Sequence, residues 1–226
     1  MNFFSRNKPV GQVADYIAAT KKPPNPKTPI GDCKLVALDC ETTGFNIGVD
    51  VILSAALLPI EGHSLPISKL QDWLVQQPDH RPNQATTIHG IMPQESKLGV
   101  SEEQLVQAME PTLRGAVLVG HHAGFDAAVI NVLFKRHFKT RIRNYFIDTA
   151  DLAMVEMDAF KKTGYANQRP PSLDEVCAQL DLPMIGRHTA AGDTFTTAEL
   201  FLLLCGRRKR RLGRELVLKD FHLSKL

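Results

Sequence analysis

Apolar positions come in short runs set between turn-forming residues, and their period changes along the chain. Runs of branched apolar residues bounded by turn formers predict strands. Leu35 to Leu38 forms such a run within a strand at 34–41 and leads straight into Asp39 and Glu41. Residues 51–60 (Val-Ile-Leu-Ser-Ala-Ala-Leu-Leu-Pro-Ile) predict a second strand, paired as a hairpin with the first through a turn at Gly44 and Gly48. Further strands are expected near 63–68, at 116–120 and at 145–147. From Asp126 to His137 the period becomes helical, with Val129, Ile130, Leu133 and Phe134 on one face. Helices are also expected from Ser101-Glu-Glu-Gln to about Leu113, where a cap precedes an acidic first turn, and over 150–158 and Ser172–Leu180. Gly192-Asp193 opens a last helix with Phe195, Ala198, Leu200, Phe201 and Leu204 on its apolar side. Residues 1–30 read as an irregular leader holding one short helix around Val10–Thr20. Its proline-rich end is a spacer, because each proline removes a donor and fixes φ. A hairpin followed by helices alternating with short strands predicts an α/β fold, a mixed sheet flanked by helices.

Positions i and i+2 of a strand point to one face, so Asp39 and Glu41 project side by side. Two carboxylates about 4 Å apart repel by roughly 4 kcal/mol at an effective dielectric near 20. A divalent cation such as Mg2+ or Mn2+ between them would remove that cost, since clustered carboxylates suit hard cations. A strand end running out into solvent would carry the same pair harmlessly, so the remainder of the chain has to decide.

Composition narrows the class. The 226 residues are 43% hydrophobic and 23% charged, as in ordinary soluble globular proteins. The length suits one large α/β domain or two small ones, and no internal repeat or mid-chain linker is visible. No apolar run reaches the 18 or so residues of a membrane span, and Met1 to Lys8 lacks the apolar core of a secretory signal. Cys33, Cys40, Cys177 and Cys205 show no C-x-x-C spacing, which argues against a zinc site and a disulfide framework. Three of them (Cys40, Cys177 and Cys205) sit in apolar patterns as small core residues, and a reducing cytoplasm is the expected location. Charge is uneven: residues 206–226 hold eight Lys/Arg against two acids, whereas 1–205 hold 19 against 22. The organisation expected is therefore a leader at 1–30, a domain at 31–205 and a basic tail at 206–226. That tail could grip nucleic acid or simply be solvated.

Two more acids stand at junctions like that of Asp39 and Glu41. Asp126 follows a strand-to-loop transition in a helix's first turn, and Asp193 lies in the first turn of the last helix. There the helix dipole favours the ionised form. Asp148, Asp151, Asp174 and Glu175 also lie near helix starts and read as caps. The order Asp39-x-Glu41-Thr42-Thr43-Gly44, then Val119-Gly120-His121-His122-Ala123-Gly124-Phe125-Asp126, then His188-x4-Asp193 closely resembles the three motifs of the DnaQ-like (DEDDh) 3′–5′ exonucleases. That family includes the proofreading epsilon subunit of bacterial DNA polymerase III. The resemblance covers about residues 32–205, with Ile88-His89-Gly90-Ile91 and Asp148 to Ala153 in the right order between motifs. One departure is His122, where the family usually has Asn.

The resemblance implies a ribonuclease-H-like mixed five-stranded sheet. It implies that Asp39, Glu41, Asp126 and Asp193 hold two Mg2+ or Mn2+ ions, whose four charges match those of four carboxylates. His188 would be the general base that takes a proton from the attacking water. Thr42, Thr43 and Gly44 would approach the terminal nucleotide, a glycine giving the backbone close access. Phe45 and His89 would contact or stack on its base, or else serve ordinary loop packing. His121 and Phe125 are expected to shape the loop and core.

The function expected is metal-dependent 3′–5′ hydrolysis of single-stranded ends, of DNA ahead of RNA, releasing nucleoside 5′-monophosphates. A DNA polymerase is a candidate partner. An exoribonuclease of the same family is the first alternative. A non-catalytic module that docks nucleic acid or polymerase is the second, against which the intact motifs count.

Overall fold

The computed structural model describes residues 11–79, 81–161 and 168–226; the first ten residues of the expected leader lie outside that range. In chain order the helices and strands are α1 (Gln12–Ala19), β1 (Leu35–Thr42), β2 (Ile52–Ile60), β3 (Gln71–Leu74), α2 (Thr86–His89), α3 (Pro93–Ser96), α4 (Glu102–Leu113), β4 (Val117–Gly120), α5 (Ala123–His137), β5 (Tyr145–Asp148), α6 (Thr149–Glu156), α7 (Leu173–Leu180) and α8 (Ala190–Leu212). The sheet order is β3-β2-β1-β4-β5. β2 pairs antiparallel with β1 and β3, while β1, β4 and β5 run parallel. This is the mixed five-stranded sheet that the sequence predicts. The third strand is displaced: it lies at 71–74 and not 63–68, where Glu61 and Ser64 instead close a tight turn through paired backbone bonds.

The alternation of β1 sorts its side chains between two cores. Leu35 and Ala37 face a layer built by α6, α7 and α8. Val36, Leu38 and Cys40 face the layer of α1, α4 and α5. Continuing the period of two, Asp39 and Glu41 project on the α8 side, toward the helix that carries Asp193. β1 pairs with β4 only from Leu35 to Ala37. Beyond that its edge is open, and the register with β2 slips between Glu41 and Thr42. A break in pairing at a strand's end re-aims side chains there.

Both ends of the described residues are tied to this body. Tyr16 of α1 is fully buried; its hydroxyl donates to Asn144 Oδ1 at 2.6 Å and accepts from the Arg143 N–H at 2.7 Å. Residues 206–226 are not a solvated tail. The boundary expected at 205/206 falls inside α8, which runs to Leu212 and ends on a left-handed Gly213. The chain then folds back, burying Leu216, Leu218 and Phe221. It bonds to Thr28 of the expected spacer and to Ile30 just after it, and pairs Ser224 with Phe146 of β5. Much of its positive charge is neutralised internally. Arg208 and Arg211 share the buried Glu156 at 2.6 and 2.7 Å, and Arg214 pairs with Asp220 at 2.6 Å.

Candidate active site

Three elements bring the predicted acids to the end of β1. One carboxylate oxygen from each of Asp39, Glu41 and Asp193 lies within 4.8 Å of the other two. Asp126 arrives from the opposite layer. Its Oδ1 accepts the N–H of Cys40 at 3.1 Å, a donor available because β4 has ended and β1 has no neighbour there. Four acids on three elements thus converge, and all are buried or half-buried.

That convergence shows in their acidity. Burial, then the charges of Asp126, Asp193 and Glu41, hold the Asp39 carboxyl well above the usual range. Burial does the same for Asp126. Glu41 is pushed up to about 7, first by burial and then by Asp193, with Arg187 opposing. Burial raises Asp193 despite the nearby Arg187 and His188. Arg187 offsets only part of this cluster's charge, and bound protons or a cation would relieve the rest. The donor set fits a hard divalent ion: the ligand atoms are all carboxylate oxygens. Asp193 Oδ1, moreover, is buried with no hydrogen bond of ordinary geometry among the described residues.

Beside the acids opens a cleft of about 580 Å³ whose lining includes Asp39, Glu41, Asp126, Phe45, Ile88 and His89. Thr42, Thr43 and Gly44 also line it, but the threonine hydroxyls are engaged in the turn itself. Thr42 donates to Gly44 O at 2.7 Å and Thr43 to Asp50 Oδ1 at 2.8 Å. Gly44 has a reason the sequence did not show: a Cβ there would lie 2.7 Å from Asp50 Oδ2. Asp50 needs that space to accept the N–H of Asn46 at 2.8 Å. Phe45 is 83% exposed and meets Phe125 edge-on at 5.5 Å. His89 is buried, its Nδ1 accepting from the Ile91 N–H at 3.0 Å.

His188 lies in the loop before α8, half-buried, with φ +63°. It neighbours Asp193 and Asp174 and is not part of the cleft wall. His122 is likewise left-handed, at φ +58°. Asn, which the resemblance leads one to expect here, and His are both enriched in that conformation. Its N–H donates to Asp148 Oδ1 at 3.1 Å, and the same oxygen caps α6 through Ala150 N. His121 is structural: Nδ1 meets Thr149 Oγ1 at 2.8 Å and Nε2 meets Pro171 O at 2.9 Å. Burial lowers its pKa to about 4.

Sequence reasoning missed Arg187 and misread Asp174. Asp174 is no mere cap; it forks the Arg187 guanidinium at 2.6 and 2.9 Å. Arg187 also pairs with Asp193 Oδ2. The only sequence signal was an arginine adjoining the motif histidine.

A family model described as Exonuclease (RNase T) matches residues 36–201. The chain belongs to this exonuclease family. Within it, a DNA polymerase III subunit epsilon-like protein of Rhodobacter capsulatus is 31% identical over 191 residues, 82% of this chain and 25% of that protein. DNA polymerase III PolC-type of Bacillus subtilis is 29% identical over 74% of this chain and 11% of its own length. RNA exonuclease 4 of Gibberella zeae is 30% identical over 74% of this chain and 48% of its own. The chain spans less than half of each of these relatives. In fold it is similar to E. coli exonuclease I, solved with a dT13 oligonucleotide: TM-score 0.65, 18% identity, 80% of this chain and 43% of that one.

Proposed function

We propose that this exonuclease-family chain removes nucleotides from single-stranded 3′ ends, DNA foremost, as 5′-monophosphates. The observation that carries the reading is the meeting of Asp39, Glu41 and Asp193 within 4.8 Å, with Asp126 bonded to the backbone between the first two. These four residues would hold two divalent ions, Mg2+ or Mn2+. Such ions, when bound, stabilise the charge that develops on the attacking and leaving oxygens of an in-line displacement.

The chain's own groups supply the rest. The cleft beside the acids is large enough to accept a terminal nucleotide. Phe45 and the exposed Ile88 offer its base an apolar surface, which stacking uses without regard to base identity. Thr42, Thr43 and Gly44 shape the turn that the nucleotide meets, and buried His89 lines the same cleft. His188, beside Asp193, takes the proton of the attacking water. The names of the epsilon-like and PolC relatives support DNA as substrate and a DNA polymerase as partner. Free cysteines, three of them buried, support a reducing compartment such as the cytoplasm. Among the described residues no helix is long and apolar enough to cross a membrane.

RNA is the second reading, favoured by the 30% identity to RNA exonuclease 4. Matched 5′-labelled DNA and RNA oligonucleotides, incubated with Mg2+, Mn2+ or chelator, separate the two. A metal-dependent ladder shortening from the 3′ end supports the reading. Products unaffected by chelator, or none from either substrate, oppose it.

A further inference from the structure

Arg187 is half-buried and uses both edges of its guanidinium. Nη2 and Nε donate to Asp174 Oδ2 and Oδ1 at 2.6 and 2.9 Å, and Nη1 donates to Asp193 Oδ2. That leaves Asp193 Oδ1 buried with no hydrogen bond of ordinary geometry among the described residues, the backbone N–H of His188 being the other donor near this carboxylate. The backbone around this contact is equally constrained. Thr189 Oγ1 donates to Gly186 O at 2.6 Å and accepts the Gly192 N–H at 3.1 Å. A Cβ on Gly192 would sit only 2.1 Å from Gly186 O, so the loop holding Arg187 and His188 is pressed against the first turn of α8.

We propose that Arg187 is a positioning residue: anchored by Asp174, it grips one oxygen of Asp193, reserves the other for a divalent cation, and fixes the backbone next to His188. This inference rests on the exonuclease reading and adds to it two residues outside the family motifs. A planar guanidinium suits the task because its fork is rigid and binds a carboxylate at two points. The ammonium of lysine, a single point charge on a flexible stem, could not hold Asp174 in a fork and reach Asp193 with the same geometry. Asp174 is what distinguishes a clamp from a loose counter-ion. Because the fork on α7 holds the guanidinium, cation capture at Oδ1 does not require Arg187 to leave.

The test compares wild type with Arg187→Met, Arg187→Lys and Asp174→Asn. Mn2+ binding is followed by electron paramagnetic resonance on metal-free protein, and kcat and KM are measured on a single-stranded DNA oligonucleotide. Circular dichroism selects the variants that fold, and Asp174→Asn, the mildest change, keeps the test open if Arg187→Met does not. Arg187→Met is expected to weaken Mn2+ binding about 10–100-fold, as loss of an outer partner of a metal ligand does. It should also lower kcat at saturating Mn2+ while KM changes little. Arg187→Lys should not restore wild-type affinity, and Asp174→Asn should fall between wild type and Arg187→Met. Unchanged Mn2+ affinity and kcat in folded variants would overturn the clamp while leaving the exonuclease reading intact. Tighter Mn2+ binding by Arg187→Met would also overturn it, by making Arg187 a competitor of the cation. A wild-type chain that neither binds Mn2+ nor cuts DNA would remove both.

Discussion

Asp126 Oδ1 accepts the backbone N–H of Cys40, the residue that separates Asp39 from Glu41, at 3.1 Å. This bond fastens α5 to the open edge of β1 and sets a third carboxylate against the strand pair. Asp126→Asn keeps an acceptor oxygen for Cys40 but removes a buried negative charge. The variant should fold and, in chelator at neutral pH, melt above wild type, because burial and like charge both disfavour the ionised form. Its hydrolytic rate should fall by more than the roughly 10–100-fold of an outer-partner change. Thermal melts and single-turnover hydrolysis check both parts; retained activity would deny Asp126 a ligand role.

The pH dependence of the metal-free protein follows from the same cluster. Asp39, Glu41, Asp126 and Asp193 all have folded-state pKa values above their ordinary ones, Glu41 at about 7. A raised folded pKa contributes stability that is complete below the unfolded value, near 4, and is lost as pH rises through the folded value. In chelator, Tm should therefore drop between pH 6.5 and 7.5, above the range in which His121, held at about 4, gains stability as pH rises, by roughly 2–4 °C for each kcal/mol lost. Adding Mn2+ should restore it by binding the folded state. The lowered acids, such as Glu175 at about 2, lose their contribution only at more acid pH and leave this window clear. Scanning calorimetry across the window is the check, and a flat Tm would contradict the coupling.

Gly192 controls the loop of the proposed base. Adding a methyl in Gly192→Ala puts a carbon where Gly186 O already stands, so the segment bearing His188 must move. Misplacing a catalytic group by about 1 Å can cost 10²-fold in rate. The variant should lose kcat on that scale with KM little changed. His188→Ala should mark the floor, about 10²–10⁴-fold down. Steady-state kinetics on a short oligonucleotide would read both; a Gly192→Ala enzyme with wild-type kcat would free the base from this loop.

The C-terminal segment is predicted to act through stability. Phe221 is buried against Phe201, ring centroids 5.8 Å apart, with the Arg208 guanidinium 5.2 Å from its ring. Phe221→Ala should cost about 3–5 kcal/mol while leaving the activity of each folded molecule unchanged. Urea unfolding followed by tryptophan or far-UV signal measures this. A cost near zero would return residues 213–226 to the status of a solvated appendage.

Much of the site was legible because its information is local. The period of two in β1 placed Asp39 and Glu41 on one face, and the first-turn positions of Asp126 and Asp193 followed from helix patterning. The sheet was readable wherever strands are buried on both faces, as β1, β2 and β4 are. β3 was misplaced because an edge strand of four residues, with Gln71 and Asp72 half-buried or exposed, carries a weak alternation, whereas Leu65 and Ile67 imitate one. The fate of Arg208 and Arg211 could not be read locally. Arg208 and Arg211 find Glu156 more than fifty positions away, and only tertiary packing reveals that pairing. Arg187 was hidden for the same reason: its partner Asp174 had a sufficient role as a cap within its own helix.

The account depends most on whether the converging carboxylates capture divalent ions. Isothermal titration of metal-free protein with Mn2+, in the presence of a deoxynucleoside 5′-monophosphate, measures this directly. Two ions per chain are predicted for wild type, with at least one lost in Asp39→Asn. A wild-type chain that takes up no Mn2+, or an Asp39→Asn chain that binds it with unaltered stoichiometry and affinity, would contradict the account.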